Sequence, residues 1–422
     1  MNIKVLPGVI HGSITVPGSK SVTQRYILLS AFMNKEISIL NPSGCEDEEI
    51  AIAAAEKCGS FVFKETDRIL VQPNFKCPDF LFGGESGTSS RLLMGLLAGS
   101  GCKTHLKLSD QLMARPFDEL IDFLRHNSIK IEKMSDGYLI DGTERSFQYR
   151  SVRADKSSQF VSSALLYLAL GGMQEFELTL RGSIVSSGYL DLTLSCLPYF
   201  GYFGLVRGDS VKVFHKQIRG SGEVVAEGDY SSAAFWIVLS LLASQNDFLL
   251  KGLSLGSRQP DSAIIDFMKV LGYSPKLDAT GIHLHRIEMP DSLLEFDVDQ
   301  CPDLAPPLSV LGLFSKKGIL LHGTGRLRMK ESDRISEICR LVRSFKGFCE
   351  IHEDSMLIKS GGQLSNPGRL SFDDHRMIMS GIIAGIVAGF NIVHENVEKI
   401  SKSYPHFLSH LKSTGITVDI DD

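Results

Sequence analysis

A chain of 422 residues carries 44 Lys and Arg against 49 Asp and Glu, a formal charge of 44 − 49 = −5, and 43% of it is apolar. That length predicts about two or three domains, and that apolar share excludes disorder because it can bury a large core. The acidic balance excludes a nucleic-acid binder that works through bulk positive charge, so no nucleic-acid partner is expected.

Residues 1–8 have neither an apolar signal core nor an Arg- and Ser-rich transit segment. Short strands are predicted at 3–6 and 13–16, then at 37–40, 176–180, 211–214, 282–285 and 319–322, where β-branched and aliphatic residues run together. Six very apolar helices are predicted between them, at 26–32, 92–98, 160–171, 233–243, 304–314 and 377–389. Each follows a small, polar or charged cluster. With Ser21, Thr88, Ser158, Ser231, Asp303 and Asp374 as markers, the spacings are 67, 70, 73, 72 and 71 residues. Six repeats of roughly 70 residues therefore account for the chain. A second, more amphipathic helix is predicted in each repeat, at 47–58, 116–126, 188–200, 261–271, 330–345 and 405–413. The longest apolar run, 377–393, is broken by Ser380 and Asn391 and opens on Asp373, Asp374, His375 and Arg376. It reads as a core helix and not a membrane span. The eight cysteines, at 45, 58, 77, 102, 196, 301, 339 and 349, show no C-x-x-C spacing. Most are expected as buried thiols in a reducing cytoplasm.

A helix that is apolar all round must be covered on all sides. Six of them suit an α/β architecture with helices inside and sheets outside. The alternative is a large doubly wound protein whose spacing is accidental.

Helix N-termini attract anions, because their N–H groups are free and the dipole is positive there. Ser158 or Thr88 alone reads as a cap. Lys20, Arg25, Arg91 and Arg376 at these starts, with Arg115, Lys330, Arg334 and Lys402 flanking the amphipathic helices, point instead to a small phosphorylated or carboxylated substrate. The plain alternative is solvated surface ion pairs. No P-loop, H-E-x-x-H or G-x-S-x-G motif occurs. His283 and His285 share one face of a predicted strand, and Asp374 before a helix reads as an orienting or capping group. Neither argues for a metal, and no cofactor is expected.

Pro17-Gly18-Ser19-Lys20-Ser21-x-x-x-Arg25 closely resembles the N-terminal signature of the 5-enolpyruvylshikimate-3-phosphate synthase family. Ser86-Gly87-Thr88-x-x-Arg91, Arg115-Pro116, Ser157-Ser158-Gln159, Asp229-x-Ser231-Ser232, Pro302-Asp303, Lys330-Glu331-x-Asp333-Arg334, Asp374-His375-Arg376 and Lys402-x-x-Pro405 follow in family order. The resemblance implies a two-domain inside-out α/β barrel of six βαβαββ units, three per domain. The domains would be 18–228, and 1–17 with 229–422, with the active site in the cleft between them. It implies a monomer that moves the enolpyruvyl group of phosphoenolpyruvate onto the 5-hydroxyl of shikimate-3-phosphate and releases phosphate, through a tetrahedral intermediate. Asp303, Glu331 and Lys20 would be catalytic. Lys20, Ser21, Arg25, Ser157, Ser158, Gln159, Ser186, Asp303 and Lys330 would hold shikimate-3-phosphate. Lys20, Gly87, Arg115, Gln159, Arg334, Arg376 and Lys402 would hold phosphoenolpyruvate. Glu85 and Leu92 depart from the common pattern, in which Asn and Pro are frequent. The sister enzyme acting on UDP-N-acetylglucosamine carries a cysteine before its Arg-Pro; here Ser109–Ala114 holds none. An inactive ligand-binding paralogue would be expected to lack Asp303, Glu331 or Lys20.

Overall fold

All six apolar stretches are helices in the computed structural model, which describes residues 1–218, 222–245 and 247–420. They span Lys20–Met33, Gly87–Ser100, Ser158–Ala169, Tyr230–Ala243, Ala305–Phe314 and His375–Ala388. Four are capped by the polar cluster that precedes them. Ser86, Ser157, Asp229 and Asp374 each accept a backbone N–H from the first turn, which satisfies donors a helix start leaves free. Every side chain of Tyr230–Ala243 is buried. Such helices owe their stability to packing on all sides rather than to an amphipathic face.

Among the described residues the strands form six four-stranded sheets. Each has one parallel pair at an edge and two antiparallel pairs beside it; the sheet holding Ser151–Arg153, Glu175–Arg181, Ser210–His215 and Tyr202–Arg207 is one case. Strand side chains alternate, as in Glu175–Arg181, where Phe176, Leu178 and Leu180 are buried and the residues between are exposed. The fold is mixed α/β.

The chain divides into two compact units, Gly18–Ala226, and Met1–Pro17 with Glu227–Asp422. The N-terminal strand Ile3–Val5 lies between Ile392–Glu395 and Val418–Ile420 and is antiparallel to both. Ser13–Thr15 pairs parallel with Phe248–Lys251. Each unit buries its own apolar core.

Several expectations are corrected. The amphipathic helix expected at 330–345 begins at Arg334, because Asp333 caps it and residues before it turn toward charged partners. That expected at 261–271 begins at Ala263 after a short turn, Pro260–Ser262. That at 188–200 is α-helical only to Cys196. The expectation that most cysteines are thiols holds for four: Cys45, Cys58, Cys196 and Cys301 are free and buried. Cys77–Cys102 and Cys339–Cys349 are disulfides, with Cα atoms 5.2 and 5.4 Å apart. Their partners are 25 and 10 residues apart in sequence, a pairing that spacing alone does not reveal. No helix among the described residues is long and apolar enough to cross a membrane.

Candidate active site

Two clusters hold the residues singled out by the sequence, one in each unit.

In the Gly18–Ala226 unit, Gly95 sets the geometry. A Cβ there would stand 2.4 Å from the backbone oxygen of Ser163, so only glycine lets Gly87–Ser100 lie this close to Ser158–Ala169. Ser163 donates to the Arg91 carbonyl at 2.6 Å across the same contact. The starts of the two helices are thereby tied together. Arg91 donates to Gln159 Oε1 at 2.6 Å and to the Pro116 carbonyl at 3.1 Å, and lies over the rings of Phe117 and Phe160. Gln159 in turn donates to Thr88 at 2.9 Å. Gly87 opens its helix against Arg115, whose Nη1 would be 3.1 Å from an added Cβ. Ser158 is buried in the first turn of its helix.

Lys20 opens the first helix, 15% exposed, and donates to Asp47 at 2.8 Å. Ser21 is half-buried beside it. Arg25 is fully buried. It donates to Thr193 at 2.9 Å, to the Ser21 carbonyl at 2.7 Å and to the Tyr189 carbonyl at 3.2 Å. Burial pulls its pKa down. Ser186, buried before Ser187–Cys196, has φ +48°. That left-handed backbone is uncommon for serine and costs free energy, a feature that clusters at functional sites.

In the other unit the charges converge on Arg334, which is fully buried. Its guanidinium donates to Asp303 at 2.6 Å, Glu331 at 2.5 Å and Asp374 at 2.8 Å. Asp303 also accepts from Arg376 at 2.9 Å and has Lys330 at 3.6 Å. Burial alone would raise the Asp303 pKa, but Arg376, Lys330 and Arg334 together hold it well below the carboxylate range. Burial would lower Arg334, yet Asp374, Glu331 and Asp303 raise it well above its ordinary value. Asp374 both caps His375–Ala388 through the Arg376 N–H, at 2.8 Å, and grips Arg334. Lys402 ends the turn Val397–Lys402, half-buried.

Sequence reasoning missed three carboxyl groups. Asp47 pairs with Lys20. Glu48 is buried and accepts the N–H groups of Ser43 and Gly44, and its pKa is raised by burial. Asp261 is buried against Ser231. Each stands at the start of a helix or turn, where an acid reads as a favourable end charge, so local sequence gave no cue. Among the described residues no group of His, Cys, Asp and Glu is arranged to hold a metal.

Comparison with known proteins follows the same lines. The profile of the family EPSP synthase (3-phosphoshikimate 1-carboxyvinyltransferase) matches residues 6–411. A 3-phosphoshikimate 1-carboxyvinyltransferase of Picrophilus torridus is 39% identical over 419 residues, covering 98% of this chain and 99% of that one. One from Thermoplasma volcanium is 39% identical over 402 residues, 95% of each chain. The EPSP synthase structure from Acinetobacter baumannii superposes with a TM-score of 0.79 at 24% identity over 100% of both chains. The enolpyruvyl transferase NikO from Streptomyces tendae gives 0.77 at 14% identity, over 100% of this chain and 99% of that one. At such identities the two structures speak for the fold.

Proposed function

The chain belongs to the EPSP synthase family, and from that premise we propose that its two charged clusters serve one reaction. The reaction is transfer of the enolpyruvyl group of phosphoenolpyruvate to the 5-hydroxyl of shikimate-3-phosphate, with release of phosphate. The observation that carries the site reading is the convergence of Asp303, Glu331 and Asp374 on Arg334, with Lys330 and Arg376 also paired to Asp303.

The chemistry sets three demands. A base must take the hydroxyl proton, an acid must protonate the methylene carbon, and cations must hold one carboxylate and two phosphates. In this reading Asp303 faces the hydroxyl and Glu331 the methylene carbon. Lys20 assists the departing phosphate. Ser21, Arg25, Ser157, Ser158, Gln159, Ser186 and Lys330 hold the acceptor. Gly87, Arg115, Gln159, Arg334, Arg376 and Lys402 hold phosphoenolpyruvate. Asp303 is a weak base while three cations grip it. An incoming carboxylate that takes up Arg334 and Arg376 loosens that grip and lets its basicity rise.

We also read each unit as an inside-out barrel of three βαβαββ repeats, helices inside and sheets outside, dividing the chain into 18–228, and 1–17 with 229–422. A helix buried at every position, Tyr230–Ala243, and strands that alternate support this. A monomer working in the cytoplasm completes the reading.

The test is phosphate release. Release with shikimate-3-phosphate and phosphoenolpyruvate, and none with UDP-N-acetylglucosamine as acceptor, is expected. No release with either acceptor overturns the reading and favours a binding-only paralogue.

A further inference from the structure

Asp261 sits in the Pro260–Ser262 turn and is 2% exposed. The turn is fixed in place: Gln259 accepts the Tyr230 N–H at 3.0 Å and donates to the Gly228 carbonyl at 2.8 Å. An acid here would ordinarily cap the helix that follows. Asp261 does not. Its Oδ2 accepts from the Ser231 hydroxyl, and its Oδ1 is buried with no hydrogen-bond partner among the described residues. Arg376 Nε, in the same charged group, is likewise buried without one. A buried acceptor and a buried donor left unmatched are costly and call for an explanation.

We infer that Asp261 is a positioning residue for the reaction, acting through Arg376 and Asp303 on how strongly the cluster takes an anionic substrate. The inference rests on the enolpyruvyl-transfer reading. The groups facing it are Asp229 and Ser231 from the start of Tyr230–Ala243, Cys301 and Asp303 from the turn Pro302–Leu304 and the residue before it, and Arg376 from His375–Ala388. Burial first, and the Asp303 charge second, push the Asp261 pKa up to about 7, while Arg376 and Ser231 pull it down. Two carboxyl groups beside one arginine are thus driven apart: Asp303 keeps its charge, and Asp261 gains or loses a proton near neutrality. Neutral, Asp261 leaves Arg376 to Asp303 and to an arriving carboxylate. Ionised, it competes for the same guanidinium and weakens the cluster's hold on an anion.

The experiment compares KM for phosphoenolpyruvate in the wild type and in Asp261→Asn from about pH 5.5 to 8.5. The ratio cancels the titration of the substrate's own phosphate. It is expected to grow about tenfold in favour of the variant as pH rises through 7, one pKa unit of interaction being a factor of ten. A ratio flat with pH overturns the inference.

Unfolding followed through Trp236, the single tryptophan and a residue of the same unit, gives an independent reading. The folded pKa lies above the unfolded value of about 3.9. The native state therefore holds a proton the unfolded state has lost, and stability falls with rising pH across that interval. The stability advantage of Asp261→Asn should grow from about pH 4 to 7 and then level off. A constant difference also overturns the inference. Should Asp261→Asn fail to fold, Ser231→Ala replaces it. Loss of the hydroxyl that favours the ionised form should move the inflection in KM to higher pH, and an unmoved inflection counts against the proposal. Absence of turnover in the wild type would defeat the reaction reading, while the unfolding series would still judge Asp261.

Discussion

The two clusters hold their buried arginines in opposite ways. In Gly18–Ala226, Arg25 and Arg91 are held by hydroxyl, amide and carbonyl oxygens, all neutral. In the other unit Arg334 and Arg376 are held by carboxylates. The pKa directions follow: Arg25 is lowered by burial, while Arg334 and Arg376 are raised despite it. Neutral partners orient a cation and leave its charge available to an anion. Carboxylate partners cancel the charge until a competing anion arrives, and they are themselves the acids and bases the reaction needs. One unit is thus built to attract, the other to exchange partners.

The sharpest way to break this comparison is to remove the carboxylates. Asp303→Asn and Glu331→Ala are expected to lose about 10²–10⁴-fold in turnover, as for a general acid or base, while still binding shikimate-3-phosphate. Glu331→Ala should also slow exchange of the methylene protons of phosphoenolpyruvate with solvent. Near-normal turnover with a lowered melting temperature would make either group structural.

Next come the arginines themselves. Arg334→Met takes a buried cation away from three carboxylates, of which Asp303 keeps Arg376 and Lys330, and should cost about 3–5 kcal/mol of unfolding free energy. Arg25→Met strands neutral oxygens and should cost about 1–3 kcal/mol. Denaturant unfolding measures both, and equal costs would erase the contrast.

Acid supplies a third test. Asp303 and Asp374 have folded pKa values below their ordinary range. Their stabilisation is present above the unfolded value of about 3.9 and is lost as pH falls below it. Trp236 fluorescence should therefore report unfolding of its own unit below about pH 4, and Arg334→Met should shift that transition to higher pH. A transition that does not move would show the cluster contributes nothing to acid stability.

The smallest effect concerns Gly87. An alanine Cβ would press on Arg115 at 3.1 Å, which a flexible side chain relieves by moving a few tenths of an ångström. Gly87→Ala should raise KM for phosphoenolpyruvate about three- to tenfold with little loss of stability, an effect on the order of 1 kcal/mol. A change in melting temperature without a change in KM would limit the glycine to backbone geometry.

Much of this was legible in the sequence. The repeat was, because each buried helix opens with a polar cluster and runs apolar on all faces. Edge strands were not. In Phe80–Gly84 the aromatic residues Phe80 and Phe82 point outward, while Leu81 and Gly83 face inward. A reading that places large apolar groups inside gets such a strand backwards. Lys330, Glu331 and Arg334 were legible as a charged motif. Their meeting with Asp303 and Asp374 was not, since it spans 31 and 40 residues. Asp261 left no mark, because its meaning depends on Ser231, 30 residues earlier, and on Arg376.

The strand Ile3–Val5, paired on both sides by segments near the far end of the chain, has a consequence for biogenesis. In a chain emerging from the ribosome, residues 3–5 appear before residues 392–420 and must stay unpaired until those have been made. The Gly18–Ala226 unit closes on itself as soon as Gly222–Val225 can lie beside Ile37–Leu40. It can therefore mature during synthesis, at about 5–20 residues per second, while its companion waits for residues 392–420. An exposed strand edge during that interval invites mispairing, so truncation near the C-terminus should release aggregation-prone chains that already contain one finished unit.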